Sequence, residues 1–291
     1  MHISRKKILI TGGNSHIGQD LVKFFIKKYF VVSTFRRKKI KFKNKFLKQV
    51  KYDFSKKLNL NEKFDFLIHL AASTPTNSKT NSKMLEINKM GTQQILNSNF
   101  KFKSIVLIST LSVYGNIKVC IIDENKRTNK ANYYGKSKLF MEKQFKRHAK
   151  DNLLNYLILR LPGVIGTFRS KTTFMNQVFE TLFKNKTLFY ANPESYTNNV
   201  IHTNTLAKII DSYLIKNKPK NKTFNLCSNK KIKLKDLISM IKKQFKSNSK
   251  IKIKKGKRPF IISTKKLMNN KVKIINTKST ILKTIKFYKS I

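Results

Sequence analysis

Tyr134 and Lys138 stand four positions apart in the run Tyr134-Gly135-Lys136-Ser137-Lys138. On a helix that spacing sets a phenol and an ammonium on one face, a turn apart. A phenol by itself stays protonated near neutral pH. A nearby ammonium favours the phenolate, lowers the phenol's pKa and makes it a usable acid or base. Tyr133 has Ser137 four residues on and lacks that partner. Lysine is so frequent in this chain that one such pair could arise by chance. The hydroxyl-rich segment Ser109-Thr110-Leu111-Ser112 upstream, at the end of an apolar run, argues against chance. Ser109, Thr110 and Ser112 each offer a hydrogen bond to an oxygen that gains or loses a proton.

Positioning such groups requires regular elements. Apolar runs of strand length occur at Lys7 to Thr11, Tyr29 to Phe35, Val50 to Asp53, Phe66 to Leu70, Ile105 to Ser109 and Tyr156 to Leu161. Amphipathic helices fit Ile17 to Lys28, Lys83 to Asn97, Tyr134 to Ala149, Phe174 to Lys184 and Ile232 to Phe245. Strands alternating with helices predict βαβ units and an α/β fold, a doubly wound parallel sheet of the Rossmann kind. Such sheets bind ligands beyond the carboxyl ends of their strands.

The first strand leads into Thr11-Gly12-Gly13-Asn14-Ser15-His16-Ile17-Gly18 and then a helix. Gly12 permits a tight turn, the small Ser15 admits a pyrophosphate, and Gly18 lets the helix approach the sheet. Gly12, Asn14, Ser15, His16, Ile17 and Gly18 are therefore candidate dinucleotide-binding residues. After the second strand comes Phe35-Arg36-Arg37-Lys38, with no carboxylate to hold the ribose hydroxyls of NAD. Arg36 and Arg37 suit the 2′-phosphate of NADP, which is the expected cofactor, with NAD the alternative.

Lys and Arg total 64 against 13 Asp and Glu, a net charge of +51 in 291 residues. A field of that sign attracts polyanions. The cations are spread along the chain without a nucleic-acid module, so no specific nucleic-acid partner is expected. A hydrophobic share of 40% argues against disorder. Two cysteines, Cys120 and Cys227, make no disulfide framework, and no His, Cys, Asp or Glu grouping has metal-ligand spacing. No apolar stretch reaches membrane-spanning length, and the N-terminus does not read as a signal peptide. A cytoplasmic protein with no membrane partner is the expectation.

Taken together, these motifs make the chain similar to the extended short-chain dehydrogenase/reductase family, also called the NAD-dependent epimerase/dehydratase family. The resemblance runs from Thr11–Gly18 through Asp53-Phe54, His69-Leu70-Ala71-Ala72, Asn88 with Gly91-Thr92, Ser109 to Gly115, and Tyr134 to Lys138. It continues through Leu159 to Gly166 and Asn199-Val200-Ile201-His202. It implies that Asp53 and Phe54 contact adenine and that Leu70, Ala71, Ala72 and Pro162 lie along the cofactor. It implies further that Lys138 holds the nicotinamide ribose beside Tyr134, and that Thr110 supplies the catalytic hydroxyl. Leu111-Ser112 stand where a dehydratase has Asp-Glu, which disfavours that reaction. His69 and His202 fall in family motifs with no catalytic role.

The resemblance implies a dinucleotide-binding domain over 1–166, its sheet completed by roughly 199–228, and a substrate lobe over 167–198 and 229–291. Ser112, Asn198 and Arg258 are the candidate substrate contacts. Asn198 replaces a common arginine, and Asn204 and Thr205 replace common acidic residues. The implied function is NAD(P)-dependent oxidoreduction or epimerisation of a nucleoside diphosphate sugar, with a ketoreductase ahead of a 4-epimerase holding tightly bound NAD. A homodimer is the family habit. A reading from another class is a non-catalytic dinucleotide-sensing or RNA-associated protein on the same scaffold.

Overall fold

The computed structural model describes residues 5–54, 56–117, 120–128, 130–168, 173–216, 220–256 and 259–290. The chain divides into two compact units. The first comprises Met1–Asn116, Lys126–Arg160 and Ala207–Phe224; the second comprises Ile117–Asn125, Leu161–Leu206 and Asn225–Ile291.

The first unit is built on β1 (Lys7–Thr11), α1 (His16–Phe25), β2 (Phe30–Phe35), β3 (Leu47–Lys51) and β4 (Phe66–His69). α2 (Asn81–Leu96), β5 (Ser104–Thr110) and α3 (Tyr133–Asp151) follow. The seven-stranded sheet runs β3-β2-β1-β4-β5 and is extended by the strands Asn155–Leu161 and Lys222–Asn225. Its strands are parallel and helices flank it. Leu9 pairs in register with Val32 on one side and Leu67 on the other, all fully buried. Burial on both faces explains why these strands read as continuous apolar runs. The order reverses between β1 and β4, and there the ends Thr11 and His69 lie side by side. That reversal is the point at which such sheets open a ligand crevice.

Among its described residues the second unit has four two-stranded pairs and no large sheet. Gly163–Ile165 runs parallel with Val200–His202, Leu188–Tyr190 with Ile251–Ile253, and Ile121–Ile122 with Ile261–Ile262. Tyr196–Thr197 is antiparallel to Ile232–Lys233. Helices Phe174–Phe183, Leu234–Phe245 and Thr277–Lys289 close a core in which Phe179 stacks on Tyr288, centroids 5.4 Å apart.

One expectation is corrected. The third strand is Leu47–Lys51, not Val50 to Asp53, because pairing with β2 starts at Leu47 and ends at Lys51. By contacts the second unit begins again at Leu161, and residues 199–206 belong to it. The reason is pairing: Val200–His202 bonds to Gly163–Ile165 outside the large sheet, whose last strand is Lys222–Asn225.

Candidate active site

The turn after β1 is held open by backbone chemistry. Gly12 has φ +69, a left-handed conformation that favours glycine, and a Cβ there would lie 2.9 Å from the Ala71 backbone. Thr34, at the end of β2, fixes the turn from the other side. Its hydroxyl accepts the Gly12 N–H at 3.1 Å and its carbonyl accepts the Gly13 N–H at 3.1 Å. Ser15 caps α1, its side chain accepting the Gly18 N–H at 3.0 Å. The serine standing in for a glycine therefore satisfies one helix-end donor itself. Beside the turn lies a cavity of about 310 Å³. Gly12, Asn14 and Ser15 line one part of it, Arg36 and Arg37 another, and Tyr52, Phe54 and Leu70 to Ser73 much of the rest. Among the described residues lining it, none is acidic.

The proton-handling groups come from β5, the 3-10 turn Leu111–Tyr114 and α3. The Thr110 side chain caps that turn, accepting the Ser112 N–H at 3.2 Å, and its hydroxyl donates to Ser112 Oγ at 3.2 Å. Asn132 caps α3 by accepting the Gly135 N–H at 2.8 Å. Gly135 is required for close approach: a Cβ there would collide with the Ser112 carbonyl. Tyr134 is thereby set on the first turn of a helix pressed against the Thr110–Ser112 segment. Asn88 of α2 ties this turn to the cofactor loop. Its amide donates to Ser137 Oγ at 2.9 Å and to the Ser73 carbonyl at 3.0 Å, and accepts the Ser73 N–H at 2.6 Å.

Lys138 is buried, and its Nζ donates to the Ile108 carbonyl at 2.8 Å. Burial lowers its pKa to about 8 against the opposing pull of Glu142. Tyr134 is pushed up to about 12 by burial. The expectation of a lowered phenol pKa is thus corrected, because desolvation disfavours the charged phenolate. His69 lies between the Phe54 and Phe145 rings, each centroid 5.5 Å away. Its ring nitrogens meet the Thr11 hydroxyl at 2.8 Å and the Thr92 hydroxyl at 3.3 Å. Burial, then the Lys138 charge, lowers its pKa to about 3, so it is neutral and structural at physiological pH.

A second buried polar group lies one turn along α3. Glu142 receives hydrogen bonds from Ser109 Oγ at 2.6 Å, Arg160 Nε at 2.9 Å and Arg160 Nη2 at 2.7 Å. Arg160 Nη1 also donates to the Tyr114 hydroxyl at 2.6 Å.

Of the residues expected at the cofactor, Gly12, Asn14, Ser15, Arg36, Arg37, Phe54, Leu70, Ala71 and Ala72 share the one cavity. His16, Ile17, Gly18 and the exposed Asp53 are not among its lining residues. Pro162 belongs to the second unit, between two strands. Asn198 is buried, with its amide donating to the Ile262 carbonyl at 2.8 Å and accepting the Ile262 N–H at 2.9 Å. Both ends of the amide thus clamp a strand. Arg258 lies outside the described residues. Thr34, Tyr52, Ser73 and Glu142 carry no sequence signal of their own, although Tyr52 and Ser73 adjoin the Asp53-Phe54 and His69–Ala72 motifs; Arg160 lies within the Leu159 to Gly166 motif, where nothing marks its contact with Glu142. The second unit has its own cavity of about 480 Å³, lined by Phe174, Phe189, Tyr190, Gln177 and Lys254 among others.

The model of the NAD dependent epimerase/dehydratase family matches residues 8–227. The chain belongs to that family. It is 26% identical over 242 residues to a dTDP-D-glucose 4,6-dehydratase of Dictyostelium discoideum, covering 72% of this chain and 56% of that protein. It is 29% identical over 172 residues to a UDP-glucose 4-epimerase of Lactobacillus helveticus, covering 55% and 52%. The chain therefore spans little more than half the length of these curated relatives. The fold is shared with the UDP-glucuronic acid 4-epimerase of Bacillus cereus in complex with NAD, at a TM-score of 0.78 and 20% identity. That likeness covers 98% of this chain and 97% of that one. The glycine turn and acid-free cavity fit the adenosine and phosphate portion of the family's dinucleotide. Among the described residues no group of His, Cys, Asp and Glu could hold a metal ion, and no helix is long and apolar enough to cross a membrane.

Proposed function

We propose that this family member oxidises or reduces a carbon of a nucleotide-linked sugar, as an NADP-preferring ketoreductase. The carrying observation is the packing of the Tyr134 turn against the Thr110–Ser112 segment, with Lys138 buried beneath. When bound, the dinucleotide supplies or accepts the hydride. Tyr134 handles the proton on the sugar oxygen, and Thr110 turns its hydroxyl from Ser112 to hydrogen-bond that same oxygen. Lys138 turns from the Ile108 carbonyl to the ribose hydroxyls and, as a cation, stabilises the phenolate left after proton transfer. A phenol held near 12 is a proton donor at neutral pH, which suits reduction of a carbonyl.

Arg36 and Arg37 on the acid-free cavity support NADP over NAD. In the second unit, aromatic rings beside Lys254 suit a nucleoside base and its phosphates. Ser112 is retained as a sugar contact. The relatives' names favour a second reading, a 4-epimerase that keeps its NAD.

The test is cofactor content and turnover of the purified protein on UDP-glucose and its 4-keto derivative. Tyr134→Phe is expected to slow turnover about 10²- to 10⁴-fold while leaving cofactor affinity intact. Unchanged turnover would remove the catalytic assignment. Stoichiometric, tightly held NAD would replace the reductase with the epimerase.

A further inference from the structure

The buried Glu142–Arg160 pair lies outside the proton-handling set yet touches every segment that carries it. Glu142 stands one helical turn beyond Lys138 on α3. Ser109, which donates to the carboxylate at 2.6 Å, immediately precedes Thr110. Arg160 reaches Tyr114 at the end of the turn that holds Ser112. Glu142 and Arg160 are 2% and 6% exposed, so neither charge is screened by bulk water. Hydrophobic residues of similar size often stabilise a fold as well as a buried ion pair does. Stability alone therefore gives this pair no reason to sit here.

We propose that Glu142 is a positioning residue of the reaction, fixing the Thr110 strand end through Ser109 and keeping the Lys138 ammonium in place and charged through a field that Arg160 trims. The proposal rests on the catalytic reading above. Among the described residues, the charged and titratable groups facing Lys138 are Glu142 and Tyr134 on its own helix, His69 on β4 and, through Glu142, Arg160 on the strand Asn155–Leu161 beside β5. His69 is neutral, so it adds no charge. The carboxylate is therefore the anion that opposes discharge of Lys138. Arg160 remains charged because its bonds to Glu142 and Tyr114 outweigh the lowering effect of burial.

The chemistry separates charge from reach. Glu142→Gln keeps an acceptor for Ser109 but removes the anion and leaves the Arg160 cation facing Lys138. Lys138 should then lose its proton at lower pH. Glu142→Asp keeps the anion but withdraws it from Ser109, loosening Thr110 without discharging the lysine. Glu142→Gln combined with Arg160→Met removes both charges and guards against simple misfolding of the single variant.

Two readouts are taken across pH: affinity for NADPH, followed by its fluorescence, and turnover of UDP-glucose or its 4-keto derivative. The high-pH midpoint at which NADPH binding weakens should fall by about one pH unit in Glu142→Gln. It should stay in place in Glu142→Asp and return most of the way in the double variant. kcat should drop about tenfold or more in Glu142→Asp with KM little changed. A midpoint that does not move in a folded Glu142→Gln, or that moves equally in all three variants, overturns the proposal. If the wild type binds NADPH but turns over neither sugar, the proposed function fails, while the binding midpoints still decide the role of Glu142.

Discussion

The two units bury polar groups of different kinds. In the first, a buried lysine near 8, a buried histidine near 3 and a half-buried phenol near 12 are all shifted mainly by desolvation. In the second, Asn198 clamps Ile262, and Ser228 Oγ joins the Val200 carbonyl at 2.7 Å and Thr280 Oγ1 at 2.8 Å. Those groups are neutral and mutually satisfied. Chemistry that moves protons needs groups held away from their resting pKa. Recognition of a ligand needs only a shaped, satisfied frame. Acid or base should therefore trouble the first unit and leave the frame of the second untouched.

The largest test of that contrast is acid. His69 has a folded pKa of about 3 against 6.5 when unfolded. Its contribution to stability is fully present above 6.5 and is lost as pH falls toward 3. Linkage puts the loss on the order of 4 kcal/mol across that window. Denaturant melts at stepped pH should show it, and the slope should flatten in His69→Phe even though that variant starts lower. Equal slopes in both proteins would dissociate His69 from the acid sensitivity.

Next in size is Lys138→Met. The lysine's folded pKa of about 8 lies below its ordinary 10.5, so folding favours the neutral form. The associated stability is present above 10.5 and is lost as pH falls to 8. At neutral pH the buried ammonium therefore destabilises the fold by at most about 3 kcal/mol. Lys138→Met should abolish turnover and yet raise the melting temperature at pH 7. A variant that melts lower would show that the bond to the Ile108 carbonyl outweighs the desolvation.

Legibility in the sequence follows the same contrast. The first unit's strands are long and doubly buried, so β1, β4 and β5 read directly as apolar runs. β3 did not, because on the sheet edge Leu47-Lys48-Gln49-Val50-Lys51 is half exposed and carries no clean period. Tyr134, Lys138 and Thr110 stand out as candidates because each sits in a short local motif. Glu142 and Arg160 were missed as a pair because their contact joins residues 18 apart, and no local pattern encodes it. In the second unit, strands of two or three residues are too short to show any periodicity. Asn198 was read as a ligand group because its partner Ile262 lies 64 residues away.

Asn198 supplies the third test. Asn198→Ala strands the Ile262 N–H and carbonyl in the interior, which destabilises by about 2 kcal/mol. The loss should be the same from pH 5 to 9, because no titrating group is involved, and NADPH affinity should not change. A pH-dependent loss would erase the contrast between the units.

The smallest effect belongs to the second unit's cavity. Phe189 is 52% exposed there, beside Tyr190 and Lys254. If a nucleoside base rests on that ring, Phe189→Ala should weaken UDP binding by about 1 kcal/mol, roughly fivefold, in calorimetry. Because the ring carries no charge, the loss should persist unchanged across the range in which Lys138 and His69 titrate. Lys254→Ala should instead weaken UDP more than uridine and grow milder with salt, since it removes a cation facing phosphate. Equal losses for UDP and uridine would place the lysine off the phosphates. An unchanged affinity in both variants would show that this cavity is not where the nucleotide binds, and the contrast between a proton-moving unit and a recognising unit would then lose its second half.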